Sequence, residues 1–340
     1  MRFGSFPVAE SLGGILAHSV RRDGVLMKKG ETVTAADIAR LQGAGIAEIT
    51  VAALEAGDVA EDDAASALAA AIAGPGLRVD RSFTGRANLF STVNGLLVLE
   101  PATVDAVNAV DERVTVATLP AMRAVVEGEM AATVKIIPFA VPGAVLQAAI
   151  AAAGAACLHV AAFQPLRIGV ISTLLPGLKP SVVEKTLRVL ESRLAPMGAS
   201  VMAHAQVPHE TQALARAVAT MGPGCDILVI FGASAITDRR DVIPVAVERA
   251  GGTIGHFGMP VDPGNLLLLA QLPGGPHVIG APGCARSPKE NGFDFVLRRL
   301  VAGVPVGAAD IRRMGAGGLL MEIVSRPQPR QSPTAVPGDD

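Results

Sequence analysis

The sequence predicts an α/β protein. Its C-terminal half is predicted as a three-layer α/β/α domain with a mostly parallel sheet, and its N-terminal half as an α+β region with short strands. From residue 166 onward, apolar strands alternate with amphipathic helices, which is typical of a parallel sheet covered by helices on both faces. The segment before residue 163 has shorter strands and lacks this regular alternation. These two observations divide the chain into two predicted domains.

Each element of the C-terminal half has its own signal. The strand at 227–231 is the uninterrupted apolar run Ile-Leu-Val-Ile-Phe, and the helix at 181–196 has Val183, Leu187 and Leu190 at helical spacing. Ligands of such sheets bind outside the carboxyl ends of the strands, so functional residues are expected just after each strand. The same patterns predict strands at 166–172, 200–206, 253–257, 266–269 and 277–279, and helices at 210–220 and 242–250.

The N-terminal half has separate signals. Arg22-Asp23-Gly24 predicts a turn between strands at 15–20 and 25–27. Thr34 and Asp37 form a capping-box pattern at the start of a helix. The remaining predicted elements are strands at 96–100, 114–118, 130–137 and 157–162, and helices at 60–73, 102–109 and 142–153.

Length and composition limit the architecture and the function. A chain of 340 residues accommodates two domains, placed at 1–163 and 164–305, followed by an extension at 306–325 and a disordered tail at 326–340. The formal net charge of −2 and the lack of long basic runs argue against nucleic acid and anionic membrane surfaces as partners. Three widely spaced cysteines without a C-x-x-C pair indicate a reducing compartment, expected to be the cytoplasm, and no zinc site.

One apolar stretch, 139–163, has the length of a membrane span. Pro142, Gly143 and Gly154 interrupt it, and alanine dominates its composition. A buried helix followed by a buried strand explains this stretch better, so no membrane association is expected.

A run of small residues follows the strand at 227–231. Gly232-Ala233-Ser234-Ala235 allows backbone N–H groups to approach a ligand closely, and Ser234 and Thr237 add hydroxyl groups. Asp241 precedes the next helix, whose positive N-terminus favours a phosphate or another oxyanion. The alternative is a tight strand-to-helix turn with Asp241 as its N-cap, and the local pattern leaves both interpretations open.

Two further loops flank predicted strands. The segment Gly280-Ala281-Pro282-Gly283-Cys284-Ala285-Arg286-Ser287 again offers backbone donors, together with one guanidinium that suits a phosphate. The alternative is an ordinary Pro-Gly turn with a solvated Arg286. Asp262-Pro263-Gly264-Asn265 precedes the strand at 266–269, and its alternative is a simple β-turn. Arg286 and Asp241 are both expected near solvent.

Taken in order, these segments resemble the molybdopterin-binding domain shared by molybdopterin adenylyltransferases and molybdopterin molybdotransferases. A strand followed by G-[GA]-[ST]-[GA] and then R-D-V-x-P, here Gly232 to Pro244, is similar to the pterin-binding loop of that family. The similarity covers about residues 165–305, and several ordered motifs are more specific than any one of them. Pro263-Gly264-Asn265 resembles the P-G-K segment, Gly280 to Cys284 resembles G-L-P-G-N, and Val183-Glu184-Lys185-Thr186 resembles an acidic helical segment.

The resemblance implies a protein that binds molybdopterin, and thereby the molybdenum cofactor. It also implies a part in biosynthesis of that cofactor, either nucleotide activation with ATP or molybdate insertion. Such an enzyme is a transferase, and Asp241 and Glu184 are its implied catalytic carboxylates and Mg²⁺ ligands. The residues implied to contact the pterin phosphate are Ser172, Thr186, Gly232, Ala233, Ser234, Ala235, Thr237, Pro263, Gly264, Asn265, Gly280, Pro282, Gly283, Cys284, Arg286 and Ser287.

The alternative function is that of a noncatalytic carrier, which delivers the finished cofactor to a molybdenum enzyme or to another maturation protein. The resembled molybdotransferases are dimers, which implies a homodimer whose N-terminal half contributes to the cleft of the partner subunit. A weaker similarity to the molybdotransferases extends over 12–20 and 30–51.

The departures from the family pattern concern catalysis more than binding. The first loop is Ser172-Thr173-Leu174 where the family has an acidic residue, and Glu184 replaces an Asp. Backbone donors survive such changes, whereas Mg²⁺ needs carboxylates and phosphates together. The other departures are Ala233 and Ala235 for two glycines, Asn265 for the Lys of P-G-K, and Cys284 for the Asn of P-G-N.

Four other features have weaker functional signals. His209-Glu210 is interpreted as a helix start and His256 as a half-buried imidazole. Cys284 is either a reactive thiol or an inert small apolar residue. Thr84-Gly85-Arg86-Ala87-Asn88 is predicted as a polar loop that faces the ligand cleft or a dimer partner.

Overall fold

Residues 1–320 are described by a computed structural model. The chain divides into two compact units, and the boundary between them along the sequence lies between Phe163 and Gln164. The predicted tail at 326–340, and residues 321–325 of the predicted extension, lie outside the described residues. No helix within the described range is long and apolar enough to cross a membrane.

The first unit is built from short strands that pair antiparallel and from helices that pack on them. Its helices are α1 (Ala35–Gly43), α2 (Glu61–Ile72), α3 (Pro101–Asn108) and α4 (Gly143–Ala153). Its strands are β1 (Arg2–Pro7), β2 (Ile15–Leu16), β3 (Val20–Arg22), β4 (Val25–Met27), β5 (Glu48–Ala53), β6 (Asp58–Ala60), β7 (Leu77–Val79), β8 (Arg86–Ser91), β9 (Gly95–Val98), β10 (Val114–Thr118), β11 (Ala124–Val125), β12 (Met130–Ile136), β13 (Ala140–Pro142) and β14 (His159–Ala162).

These strands form several small sheets, in the orders β1-β5-β2, β10-β12-β8-β7, β11-β9-β14, β13-β6 and β3-β4. Helix α1 begins at the predicted capping box, where the Thr34 hydroxyl accepts from the Asp37 N–H and the Asp37 carboxylate accepts from the Thr34 N–H. Helix α2 buries Leu68, Ile72 and three alanines in the core of this unit. Small alanine side chains allow the helix to approach the sheet closely, which explains how a core with few aromatic residues packs densely.

The prediction of a polar loop at 84–88 is wrong for its last three residues, which begin strand β8. Ala87, Leu89 and Ser91 are buried in alternation with more exposed neighbours, so the segment has the period of two residues that a half-buried strand requires. Thr84 and Gly85 form the turn before it, with φ angles of 50° and 70°. The sequence gives no clear signal for the start of this strand, because Ala87 and Asn88 have low β propensity.

The second unit contains one large sheet. Its strands are β15 (Arg167–Leu174), β16 (Ser200–Pro208), β17 (Ile227–Phe231), β18 (Thr253–Phe257), β19 (Leu268–Gln271) and β20 (His277–Ala281), and their order in the sheet is β16-β15-β17-β20-β19-β18. Its helices are α5 (Pro180–Leu194), α6 (Thr211–Met221), α7 (Val242–Arg249), α8 (Gly292–Val301) and α9 (Ala308–Arg313). Strands β16 and β18 lie at its two edges, and β16 contains no Lys, Arg, Asp or Glu.

The large sheet is mixed. Strand β15 pairs parallel with β16 and β17, and β17 pairs parallel with β20. Strand β19 is antiparallel to both of its neighbours, β18 and β20, so it runs against the direction that the other strands of this sheet share. The reason is the connection between β18 and β19, which contains no helix, because a parallel pair needs a long crossover and an antiparallel pair does not.

Helices cover both faces of the large sheet. Residues of α6 and α7, among them Leu214 and Val247, share a core with one face of the strands. On the other face, Phe231 of β17 packs against Phe293 of α8 with ring centroids 6.5 Å apart, and α5 is joined to α8 by a buried ion pair. This arrangement places the strand ends, and not the strand faces, within reach of a ligand.

Candidate functional site

The loops that the sequence predicted as functional lie where the parallel strands of the large sheet end. This side of the sheet is called its carboxyl edge. Strands β15, β16, β17 and β20 are parallel, so their carboxyl ends meet at the same edge, and β18 and β19 bring their connecting loop to it as well. After β15 the chain crosses to β16 on one side, and after β16 it returns to β17 on the other. The crevice between β15 and β17 is therefore a topological switch point, where open α/β sheets bind their ligands.

The loop after β17, residues 232–241, is anchored at both ends. A Cβ atom on Gly232 would lie 2.6 Å from the Ser234 carbonyl oxygen, so only glycine fits at the first position. Ile236 is buried in the core below the loop. The rest of the small-residue run is open to a ligand, because Ser234, Ala235 and Thr237 are exposed.

Asp241 is the N-cap of α7. One carboxylate oxygen accepts from the Val242 N–H at 2.7 Å, and the other accepts from the Thr237 N–H at 3.2 Å. The capping interpretation of this residue therefore describes the structure, and both oxygens are already used in closing the loop.

The loop after β20, residues 282–289, contributes Arg286 to the site. The Arg286 guanidinium donates to the Thr186 hydroxyl at 2.9 Å and to the Gly232 carbonyl oxygen at 2.8 Å, and it lies over the Phe231 ring. The alternative of a fully solvated Arg286 does not describe the structure, because Arg286 is half-buried against α5 and the β17 loop. Burial lowers the pKa of this guanidinium, and within residues 1–320 it forms no ion pair with a carboxylate.

Other residues of the β20 loop differ in exposure. Gly283 is exposed, Cys284 and Ser287 are half-buried, and Pro282 is buried. Gly280, at the end of the strand, is also buried and faces Ile236 and Leu268 so closely that a Cβ atom would lie within 3 Å of both. Gly280 and Pro282 therefore shape the loop, and its accessible residues are the exposed Gly283 and the half-buried Cys284, Arg286 and Ser287.

Two predicted contact residues are enclosed by the fold. Thr186 is only 1% exposed. Its hydroxyl donates to the Val182 carbonyl oxygen and accepts from the Arg286 guanidinium. The Ser172 hydroxyl lies 3.2 Å from Nε2 of His204, whose pKa is lowered by burial. Both hydroxyl groups support neighbouring side chains, so a direct contact with a ligand is not their observed role.

Sequence reasoning missed a polar link at the switch point. The Thr173 hydroxyl accepts from the Ala233 N–H at 2.8 Å and lies 2.8 Å from Nδ1 of His209. These residues lie at the carboxyl ends of three adjacent strands, β15, β17 and β16, and the link joins them. The missed signal was strand length, because β15 and β16 each continue two residues beyond their predicted ends and carry Thr173 and His209 to the edge.

In the loop between β18 and β19, the exposed member of the predicted segment Pro263-Gly264-Asn265 is Asn265. Pro263 and Gly264 are buried against α8, where the Pro263 carbonyl oxygen accepts from the Gly292 N–H at 2.8 Å. His256 in the neighbouring strand is half-buried, and burial lowers the pKa of its imidazole. The strand after the loop begins at Leu268, two residues later than predicted.

Replacing Gly264 by alanine is expected to destabilise the second unit by about 1–3 kcal/mol. Gly264 has a φ angle of 144°, and a Cβ atom would lie 2.6 Å from the backbone nitrogen of Gly292. Urea unfolding followed by circular dichroism measures the change. Gly283→Ala is the matched control, since no atom lies within 4 Å of its Cβ position, and its effect should stay within about 0.5 kcal/mol. Equal effects of the two substitutions would contradict this interpretation of the loop.

The carboxylates of the site do not fit a Mg²⁺ centre. Glu184 is exposed on α5, two residues from the buried Thr186, and residues two apart on a helix do not share a face. It therefore points away from Arg286. Asp241 already caps α7, and the described part of the chain contains no group of three His, Cys, Asp or Glu residues able to hold a metal ion.

Comparisons with known proteins give partial likeness. A family model described as a domain of unknown function (DUF8806) matches residues 5–53, and no curated protein matches. Among solved structures, the chain is similar to a molybdenum cofactor biosynthesis protein from Pyrococcus furiosus, with 11% identity and a TM-score of 0.26 over 90% of this chain and 66% of that one. The chain thus spans slightly less than two thirds of the length of that protein.

Two further solved structures show likeness of the same order. The molybdopterin biosynthesis MoeA protein from Pyrococcus horikoshii has 14% identity and a TM-score of 0.32, over 89% of this chain and 75% of that one. The molybdopterin biosynthesis enzyme MoaB from Thermus thermophilus has 17% identity and a TM-score of 0.29, over 41% of this chain and 98% of that one. At these values the likeness supports no transfer of residue roles.

Proposed function

We propose that the second unit binds molybdopterin or its nucleotide derivative, and that it recognises the ligand through the phosphate. One observation carries this proposal: Arg286 is a half-buried guanidinium at the sheet edge that forms no ion pair with a carboxylate of the described residues. A charge removed from water without a partner costs free energy, which an anionic ligand offsets. The order of the sequence motifs selects a pterin phosphate among the possible anions.

The surroundings of Arg286 support a phosphate ligand. Its two observed hydrogen bonds use one N–H each of Nη1 and Nη2, which leaves donors of the planar guanidinium for a second, forked contact. The exposed residues Ser234, Ala235 and Gly283 lie in the two flanking loops, at the carboxyl edge of the sheet. Backbone N–H groups of such loops commonly bind phosphate oxygens.

Within this proposal, binding and delivery are favoured over Mg²⁺-dependent transfer. The observation behind this choice is that Asp241 uses both carboxylate oxygens to close its own loop, while Glu184 points into solvent. Phosphate-bound Mg²⁺ is usually held by one or two protein carboxylates, and here Asp241 is fixed as the N-cap of α7. The transferase alternatives, adenylylation with ATP and molybdate insertion, would need Asp241 to bind Mg²⁺ while it caps α7.

The experiment is a titration of molybdopterin with the full-length protein, followed by pterin fluorescence. The chain has no Trp and no Tyr, so the protein contributes little background to that signal. We expect saturable binding that changes less than about twofold when EDTA replaces Mg²⁺, because the contacts proposed here contain no metal bridge. A pterin without the phosphate should bind more weakly.

Two results would overturn parts of the proposal. Absence of any saturable signal with molybdopterin would remove the assignment altogether. Formation of adenylylated or molybdenum-loaded product, on incubation with ATP, Mg²⁺ and molybdate, would replace the carrier function by a transferase function. We also propose that the protein is a homodimer and that a molybdenum enzyme receives the cofactor. Both of these points rest on the family resemblance alone.

A further inference from the structure

A buried ion pair joins α5 to α8 behind the β20 loop. Arg193 lies in the last turn of α5 and Asp294 in the first turn of α8, and their side chains are 8% and 6% exposed. Nε of Arg193 donates to a carboxylate oxygen of Asp294 at 2.7 Å. The second carboxylate oxygen accepts from the Asn291 N–H at 2.9 Å. The charge of Arg193 is thus neutralised, in contrast to that of Arg286.

The remaining donors of Arg193 face the β20 loop. Nη1 donates to the Ala285 carbonyl oxygen at 2.9 Å, and Nη2 donates to the carbonyl oxygens of Ser287 and Lys289. Three carbonyl groups at alternate positions therefore point at one guanidinium. Arg286 lies between two of them, so Arg193 fixes the backbone on both sides of it.

A stack of four side chains links the two arginines. The Arg193 guanidinium lies 5.9 Å from the centroid of the Phe293 ring, and the Arg286 guanidinium lies 5.4 Å from that of Phe231. The two rings are themselves in contact, with centroids 6.5 Å apart, and both are almost completely buried. Close-packed groups of this kind transmit a displacement from one end to the other.

We propose that Arg193 is a positioning residue for Arg286. It holds the β20 loop so that the Arg286 guanidinium presents its remaining N–H groups to the bound anion. Lysine cannot replace it, because a single ammonium group cannot reach a carboxylate and three carbonyl oxygens with the geometry of a planar fork. The inference rests on the proposed function for its consequence, but the positioning itself is testable without any ligand.

The first test is the ¹⁵N spectrum of the arginine side chains in the full-length protein. The Nε–H signal of Arg286 is assigned as the one that Arg286→Met removes. In Arg193→Lys we expect this signal to shift. Its hydrogen exchange should accelerate by about tenfold, because coupling free energies between contacting residues correspond to a change of this size. The signal of Arg113, which forms a pair with Asp111 in the first unit, should stay in place. An unchanged Arg286 signal overturns the inference, whatever the protein binds.

The second test is a double-mutant cycle with inorganic phosphate as the probe. Arg193→Lys should weaken phosphate binding about tenfold in the natural sequence and less than about twofold when Arg286→Met is also present. Equal losses in both backgrounds would mean that Arg193 acts through general stability, which overturns the inference. If Arg286→Met alone leaves phosphate binding unchanged, the proposed function fails and the spectrum still decides the positioning role.

A second variant covers the case in which Arg193→Lys does not fold. Phe293→Leu keeps an apolar side chain in the core but removes the ring between the two arginines. The same shift of the Arg286 signal is expected, and its absence in a folded Phe293→Leu protein counts against the stack.

Discussion

Arg286→Met should weaken the binding of molybdopterin by about 10- to 100-fold. Hydrogen bonds to charged groups contribute about 1.5–3 kcal/mol, which corresponds to this range of dissociation constants. Methionine keeps the volume and the contact with the Phe231 ring but removes the charge and the fork. Pterin fluorescence titration measures the loss, and circular dichroism confirms that the variant is folded.

The matched control is Arg249→Met, which removes the same charge from an exposed residue of the same unit. Arg249 is the last residue of α7, and the chain goes from there to the start of β18. It therefore belongs to the side of the sheet at which the strands begin, opposite to the carboxyl edge. We expect a change in affinity of less than about twofold, because an exposed charge on the opposite side of the sheet is screened by salt. Equal losses in both variants would mean that only net charge matters, and the assignment of the site to Arg286 would be wrong.

Asp294→Asn should destabilise the second unit by about 3–5 kcal/mol. The substitution keeps the shape of the side chain and leaves Arg193 buried without a counter-ion, at a position where both partners are less than a tenth exposed. Removing one member of a buried pair costs more than the pair contributes, because the remaining charge cannot reach water. Urea unfolding measures the difference, and the transition of the second unit should move to lower urea.

Asp238→Asn provides the comparison for that measurement. Asp238 forms an ion pair with Arg240, but these side chains are 52% and 90% exposed. Exposed pairs contribute less than about 1 kcal/mol, so the midpoint should hardly move. If Asp294→Asn were as mild as Asp238→Asn, the ion pair between α5 and α8 would not be important for the fold, and its proposed effect on the β20 loop would lose its basis.

The sequence predicted the positions of the loops at the strand ends better than the contacts that their residues form. The alternation of strands and helices after residue 166 placed the segments 232–241 and 280–287 after predicted strands, and the structure has both at one edge of the sheet, after the neighbouring strands β17 and β20. This succeeded because a buried strand and an amphipathic helix each have a local signature. The antiparallel β19 was missed because strand direction depends on the connection, which has no such signature.

The partners of the arginines could not be predicted from local patterns. Arg286 forms its hydrogen bonds with residues 100 and 54 positions away, and those of Arg193 are 92 to 101 positions away. A basic residue in the last turn of an amphipathic helix is usually solvated, so Arg193 gave no signal of its burial. Asp241 is the opposite case, since its capping role involves only neighbours and was one of the two interpretations that the sequence left open.

The lack of charge on β16 has a consequence for the behaviour of this protein in concentrated solution. The outer side of an edge strand presents unpaired N–H and C=O groups, and proteins usually protect such groups with lysine, proline or a covering element. Strand β16 pairs with β15 alone among the strands of residues 1–320, and its only proline is its last residue. Met202 on this strand is 62% exposed. Aggregation by strand addition should therefore start at β16. Met202→Lys should reduce this aggregation and leave the loops at the carboxyl edge unchanged.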